Sequence, residues 1–243
     1  MNKFLTLMMC IASIISGFSA AHQVDADMEN ILVSASLLPI TSKRSANAIT
    51  IIGSDQIKNR AVVSVSDLLR DVAGLAVSRS GVQGSQTQIR VRGGEANHLL
   101  VLIDGVEVNN PSQNDEFNWG NLVASDIERI EVIRGPQSSM LGSDAMAGVV
   151  NIITRSADQP LSTNIFSEIG SFNTQNNGIS IGLKDGAFDM RLGISDLQTD
   201  GDNISRSGSE KDGYENTNLN LKSGWRVSNQ LNLTLAARQS DGI

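Results

Sequence analysis

The chain has 243 residues, a formal net charge of −7, one cysteine and two histidines. An acidic chain without a basic run is a poor nucleic-acid binder. A lone cysteine makes neither an intrachain disulfide nor a thiolate metal cluster.

Residues 1–21 read as a secretory signal peptide. Lys3 gives the positive start, Phe4–Phe18 is mostly apolar, and Ser19-Ala20-Ala21 fits a small-residue cleavage site. A transmembrane helix is the alternative, but the run is too short and ends in a cleavage pattern. Cys10 belongs to this segment, and Met8-Met9 before it do not suit a lipoprotein signal. The mature chain then starts near His22 without cysteine, and loss of Lys3 takes the formal charge from −7 to −8. No later apolar run approaches the about 20 residues that a membrane helix needs. Any membrane span must therefore be built from strands, as a β-barrel.

His22–Ser36 is a polar leader with an extended apolar patch, Ile31-Leu32-Val33. Leu37–Arg155 reads as a mixed α/β domain. Ala48–Ile52 is a strand, and Ser54 caps a short helix through Lys58. Ser64-x-x-Asp67 is like a capping box with Asp in place of Glu or Gln. It opens a helix with Leu68, Leu69 and Val72 on one face, closed by Gly74. Strands follow at Gln88–Val91 and Leu99–Asp104. Asp104-Gly105, with Val101-Leu102-Ile103 before it and Val106 and Val108 after, is a hairpin signal. Ile127, Ile130, Val132 and Ile133 form a strand that Gly135-Pro136 breaks. Ser138 or Ser139 caps a short helix, Gly142 ends it, and Val149–Thr154 is the next strand. The stretch from Ile127 to Thr154 holds no nucleophile–base pair, metal cluster or phosphate loop.

Ser156–Pro160 is a linker, and after it the pattern changes. About five strands lie near 162–170, 177–183, 187–197, 216–226 and 230–239. Ile179, Ile181 and Leu183 alternate with Ser180 and Gly182. Phe188, Met190, Leu192 and Ile194 alternate with Asp189, Arg191, Gly193 and Ser195. Period-2 segments of about ten residues mark a transmembrane barrel. A soluble β-sandwich alternates in the same way.

The run IERIEVIRGPQSSMLGSDAMAGVVNIIT, Ile127–Thr154, resembles the end of the plug domain of TonB-dependent outer-membrane receptors. Leu141 stands where an aromatic is common, and Ala147 where a glycine is common. SVSDLLRDVAGLAV (Ser64–Val77), IRVRGG (Ile89–Gly94) and HLLVLIDGVEVN (His98–Asn109) resemble the same domain in the same order, with Ala73 at a frequent proline position. The resemblance implies an α+β plug domain over 37–155, then the first strands of a transmembrane antiparallel β-barrel over 161–243. It implies ligand-gated, energised uptake at the bacterial outer membrane. The expected partners are a TonB-type periplasmic energy-transducing protein, outer-membrane lipid and a small-molecule ligand, with no nucleic acid and no cofactor. The combination of HLLVLIDGV, IERIEVIRGP, GSDAMAGVVNIIT and GSFNTQNNGIS is most similar to the vitamin B12 receptor branch, which favours cobalamin over a ferric siderophore.

The resemblance also implies sites. Glu29, Asn30, Ile31, Leu32, Val33, Ser34 and Ala35 (ENILVSA) are similar to the TonB box, which adds as a strand to its partner through main-chain hydrogen bonds. The first strand of the plug is the alternative. Arg90, Arg92 and Arg134 lie on or beside buried strands, where a charge needs a partner. The resemblance implies that Arg92 and Arg134 meet carboxylates on the inner barrel wall; pairing with Glu128 or Glu131 is the alternative. The loops Ser80–Thr87 and Asn109–Asn118 lack a packing pattern and are placed by the resemblance at the extracellular face. Ser80, Gln83, Ser85, Gln86, Asn110, Gln113, Asn114, Phe117 and Trp119 are the ligand candidates there, because amides beside aromatics suit a polar, ring-bearing ligand. Otherwise these are two ordinary turns.

Asp200, Asp202, Glu210, Asp212 and Glu215 crowd the hairpin Thr199–Asn216. They form an acidic surface loop or, as in similar loops of the vitamin B12 receptor branch, a calcium site. An enzyme is disfavoured, since the mature chain has only His22 and His98 and no GxSxG, Walker A, HExxH or GxGxxG motif. A secreted β-rich adhesion or binding module without transport activity is the rival reading. Transporters of the resembled type close 22 strands around a plug. The expectation is therefore a truncated or frameshifted receptor whose barrel is incomplete and leaves an open edge.

Overall fold

The computed structural model describes residues 31–32, 40–41 and 48–243 except 206. Two short strands, β1 (Ile31–Leu32) and β2 (Ile40–Thr41), pair antiparallel. The signal segment and Glu29, Asn30, Val33, Ser34 and Ala35 lie outside the described residues.

The domain that follows contains β3 (Ala48–Ile52), α1 (Ser54–Arg60), α2 (Val65–Leu69), β4 (Leu75–Arg79) and β5 (Thr87–Val91). It continues with β6 (Leu99–Ile103), β7 (Val106–Glu107), β8 (Ile127–Arg134), α3 (Ser138–Leu141) and β9 (Gly148–Thr154). The main sheet runs β3-β8-β9-β6-β7, with β6 and β9 parallel, and β4-β5 forms a separate hairpin. The run Leu-Leu-Val-Leu-Ile in β6 is apolar at every position because both sheet faces are covered. Leu99 and Val101 pack with Leu68, Leu69, Trp119 and Ile152. Leu100 and Leu102 pack on the other side with Ile133, Ala145 and Val149. At about 2 kcal/mol per fully buried aliphatic side chain, these two clusters are the main stabilising term of the domain.

The strands fall where alternation places them, whereas the caps do not. Gly53, rather than Ser54, is the N-cap of α1, and its amide donates to Gln56 Oε1 at 3.2 Å. The helix runs on to Arg60. Ser64 precedes α2, but its hydroxyl is bonded to that of Ser66 at 2.8 Å. Asp67 turns to Arg79 at 3.1 Å and so closes no capping box. Gln137 caps α3, and Ser138 is its first helical residue. Asp104 and Gly105 have φ of 51° and 82°, the two positive values of a type I′ hairpin turn. Strand β4 is an addition to the predicted strands, with Leu75, Val77 and Arg79 half-buried and Ala76 and Ser78 exposed.

The remaining strands are β10 (Leu161–Gly170), β11 (Thr174–Asp185), β12 (Phe188–Thr199), β13 (Tyr214–Arg226) and β14 (Asn232–Gly242). They form one antiparallel meander in chain order, with β10 and β14 at its edges. One face is polar and buried against the preceding domain: Ser180, Arg191, Ser195, Asn216 and Asn218 lie there. The other is apolar and exposed, with Ile179, Ile181, Leu192, Ile194, Leu219 and Leu235. A soluble sandwich buries its apolar face. This sheet buries the polar one, as the wall of a transmembrane barrel does, which removes the sandwich alternative. Among the described residues no helix is long and apolar enough to cross a membrane.

Candidate functional site

Two loops enclose a cavity of about 480 Å³ at one end of the domain. The first joins β4 to β5. Ser80 closes it, its amide and hydroxyl both donating to Gln86 O at 3.0 Å. The second follows β7 and is tied down by Asn109. That side chain accepts from Val101 N at 2.8 Å and donates to Leu99 O at 3.0 Å and Asp115 O at 2.7 Å. Asn114 and Asp115, with φ of 59° and 56°, then turn the chain back towards Glu116.

Gln86, Gln88, Gln113, Asn114, Glu116 and Phe117 are among the cavity's lining residues. Glu116 accepts from Gln88 Nε2 at 2.6 Å, which fixes one carboxylate in a wall of amides. Each amide donates and accepts, and the half-buried ring of Phe117 offers a flat apolar surface. Among the described residues no lysine or arginine lines the cavity. Such a wall suits a polar ligand without net negative charge.

The structure therefore brings together Gln86, Gln113, Asn114 and Phe117 of the predicted ligand residues. Ser80 and Ser85 hold the first loop's shape. Asn110 spends its side chain on the amide of Ser112, at 3.0 Å, capping the turn Pro111–Gln113. Gln83 faces a different cavity, of about 370 Å³, beside Val82, Phe172 and Leu197. Trp119, also a predicted ligand residue, lies in the core and not among the residues lining the first cavity. It is 2% exposed and meets Phe117, which does line that cavity, edge to face at 4.9 Å. Gln88 and Glu116 were missing from the sequence reading. The alternation of buried Thr87, Ile89 and Val91 in β5 puts Gln88 on the opposite face, a signal that was there to read.

Charge pairs join the domain to the sheet wall. Lys222 Nζ is 2.7 Å from Asp104 Oδ1, and Arg191 Nε is 3.1 Å from Asp126 Oδ1. Arg134 instead donates to Ala73 O at 2.5 Å and Thr50 Oγ1 at 2.8 Å, which ties β3 and the segment after α2 to the end of β8. Arg92 lies beside it, both side chains flanking Gly74. Glu128 and Glu131 meet Arg129, at 3.4 and 2.9 Å. Arg90 donates to Gln88 Oε1 at 2.9 Å.

Carboxylates of the acidic hairpin find partners within it. Asp200 meets Lys211 at 3.1 Å, and Asp212 accepts from Ile204 N at 3.1 Å. Among the described residues no three His, Cys, Asp or Glu side chains stand close enough to hold a metal ion. The calcium alternative gains no geometry from this hairpin.

Residues 41–149 match the family model described as the TonB-dependent Receptor Plug Domain. The vitamin B12 transporter BtuB of Vibrio vulnificus is 33% identical over 159 residues, covering 65% of this chain and 26% of that protein. The siderophore receptor PirA from Pseudomonas aeruginosa is 28% identical with a TM-score of 0.60, over 82% of this chain and 36% of that one. PirA from Acinetobacter baumannii has the same fold, with a TM-score of 0.66 at 23% identity over 80% of this chain and 31% of that one. The chain spans about a quarter of the length of the vitamin B12 transporter from Vibrio vulnificus.

Proposed function

We propose that this chain, whose residues 41–149 match the plug-domain model of the TonB-dependent receptors, serves ligand-gated, energised uptake of a scarce nutrient across the bacterial outer membrane. The amide-lined cavity on the plug carries this reading. Among the described residues its lining has one carboxylate and no cation, so a neutral, amide-bearing ligand is favoured over an anionic ferric chelate. Cobalamin is therefore the first ligand and a ferric siderophore the second. The name of the relative in Vibrio vulnificus supports the same order. The plug holds the ligand and moves; no bond is made or broken, and the chain is not an enzyme.

Export through residues 1–21 and cleavage there deliver the chain to the periplasmic side. The leader Glu29–Ala35 is the contact for the TonB-type energy-transducing partner. Its strand β1 pairs with β2 over two residue pairs, Ile31 with Thr41 and Leu32 with Ile40, a short ladder to exchange for a partner strand. Arg92, just after β5, and Arg134, at the end of β8, are the cations that further wall carboxylates would meet. Outer-membrane lipid covers the exposed apolar face.

Titration with cyanocobalamin and with ferric enterobactin tests the ligand. Tight binding of the ferric chelate without cobalamin binding removes the first choice. Val33→Pro tests the partner, because proline takes a donor from the added strand. Undiminished energised uptake in that variant would leave a passive binding module as the better description.

A further inference from the structure

The first ligand loop is seated on a residue of the barrel wall. Gly84, at φ +82°, lies so close to the ring of Tyr214 that a Cβ there would collide with it. The same stretch of loop rests on Gly120, where a Cβ would stand 2.6 Å from Ser85 O and 2.7 Å from Gly84 O. Glycine at both positions is thus a packing requirement, since any side chain would lift the loop. Tyr214 is 5% exposed and packs with Val123 and Leu197. Its hydroxyl donates to Asn121 Oδ1 at 2.9 Å and accepts from Asn216 Nδ2 at 2.5 Å. Asn121 ends the turn Trp119–Asn121 that contains Gly120. One tyrosine therefore grips the loop through Gly84 and the turn beneath it through Asn121.

We infer that Tyr214 is a positioning residue for the ligand, setting through Gly84 the place of Gln86 at the mouth of the amide-lined cavity. The inference rests on the reading of that cavity as the ligand site. Gln86 is two residues from Gly84, and its carbonyl closes the loop onto Ser80. Removing the ring leaves a space under Gly84 into which the loop settles, carrying Gln86 out of register with Gln113 and Asn114 across the cavity. Tyr214 also begins the strand after the long hairpin 200–213, so the same contact couples that hairpin to the ligand loop.

The test uses the full chain in detergent micelles, with Tyr214→Ala, Tyr214→Phe, Gln86→Ala and Gln113→Ala. Hydrogen exchange reads the loop directly through the amides of Ser80 and Ser85, with the amides of Val132 and Val150 as the control for an intact core. Tyr214→Ala should free the loop amides and leave the core ones protected, while Tyr214→Phe, which keeps the ring, should hold the loop. Cyanocobalamin titration reads the consequence: Tyr214→Ala should raise the dissociation constant about tenfold. It should add little in a Gln86→Ala background and its full effect in a Gln113→Ala background. A merely structural tyrosine would not show that difference. Unchanged loop exchange in Tyr214→Ala overturns the inference whatever the ligand. A freed loop with unchanged cobalamin affinity overturns it as well. If Gln113→Ala weakens binding and Tyr214→Ala does not, the cavity reading survives alone. If the unaltered chain binds no cyanocobalamin, the cobalamin reading falls and the exchange arm still decides the role of Tyr214.

Discussion

Lys222 Nζ stands 2.7 Å from Asp104 Oδ1, 118 positions away in the chain. The same ammonium donates to Thr154 O at 2.8 Å, and Asp104 Oδ2 accepts from Thr154 Oγ1 at 2.5 Å. One wall lysine thereby closes the ends of the parallel pair β6 and β9. Both side chains are mostly buried, at 16% and 7% exposure, so the pair is little screened by solvent.

Lys222→Met should destabilise the docked plug by about 3 kcal/mol, because it strands a buried carboxylate. Lys222→Met combined with Asp104→Asn should cost clearly less than the sum of the two single changes. Denaturant midpoints of the four species measure this. Additive costs would mean that the pair has no coupling and that the contact is incidental.

Trp119 and Phe117 should separate stability from binding. Trp119→Ala opens a large cavity in the core and should cost about 3–5 kcal/mol. Phe117→Ala should cost less stability and more ligand affinity, since its ring is half-buried at the cavity. Parallel thermal melts and ligand titrations would expose a reversed order.

The acidic hairpin carries a pH signature. The side chain of Lys211 beside Asp200, aided by that of Asn173, holds the Asp200 carboxyl below its ordinary range. A carboxylate with a lowered folded-state value stabilises the loop above its unfolded value and loses that contribution as pH falls through the folded one. The Asp200 carboxyl resonance should therefore titrate at lower pH than a free aspartate. Lys211→Ala should move it back up, and an unmoved midpoint would remove Lys211 as the cause.

Local patterns carried much of this fold in the sequence. The alternation Phe188, Met190, Leu192, Ile194 located β12 to within two residues of each end, because a wall with one apolar and one polar face writes its period into the chain. The hairpin at Asp104-Gly105 was legible for the same reason: few residues tolerate two positive φ values in succession. Helix caps were not, since Gly53, Ser54 and Ser64 are all chemically able to cap and tertiary contacts chose among them. Trp119 read as a ligand residue because its loop has no period; only the three-dimensional packing of α2, β6 and β9 around it makes it core. The Lys222–Asp104 and Tyr214–Gly84 contacts join residues more than a hundred positions apart and leave no local trace.

The orientation of the wall towards lipid gives the last expectation. Phe188 and Trp225 are direct cross-strand partners on β12 and β13 and share the exposed face, at 42% and 53% exposure. Aromatic residues at the ends of lipid-facing strands form the interfacial girdle of outer-membrane barrels. The sequence has two tryptophans, and the other, Trp119, is 2% exposed in the plug core. Each therefore reports a different environment. In bilayers containing brominated lipid, Trp225 emission should be quenched and Trp119 emission should persist. Trp225→Phe should leave a residual emission that bromine does not change, and Trp119→Phe should leave one that it almost abolishes. Placing the bromine near the headgroup should quench more strongly than placing it at the bilayer centre, since Trp225 is the penultimate residue of its strand. Emission insensitive to bromine in every variant would mean that the apolar face of β10–β14 meets protein rather than lipid, and the membrane reading of this sheet would have to be given up.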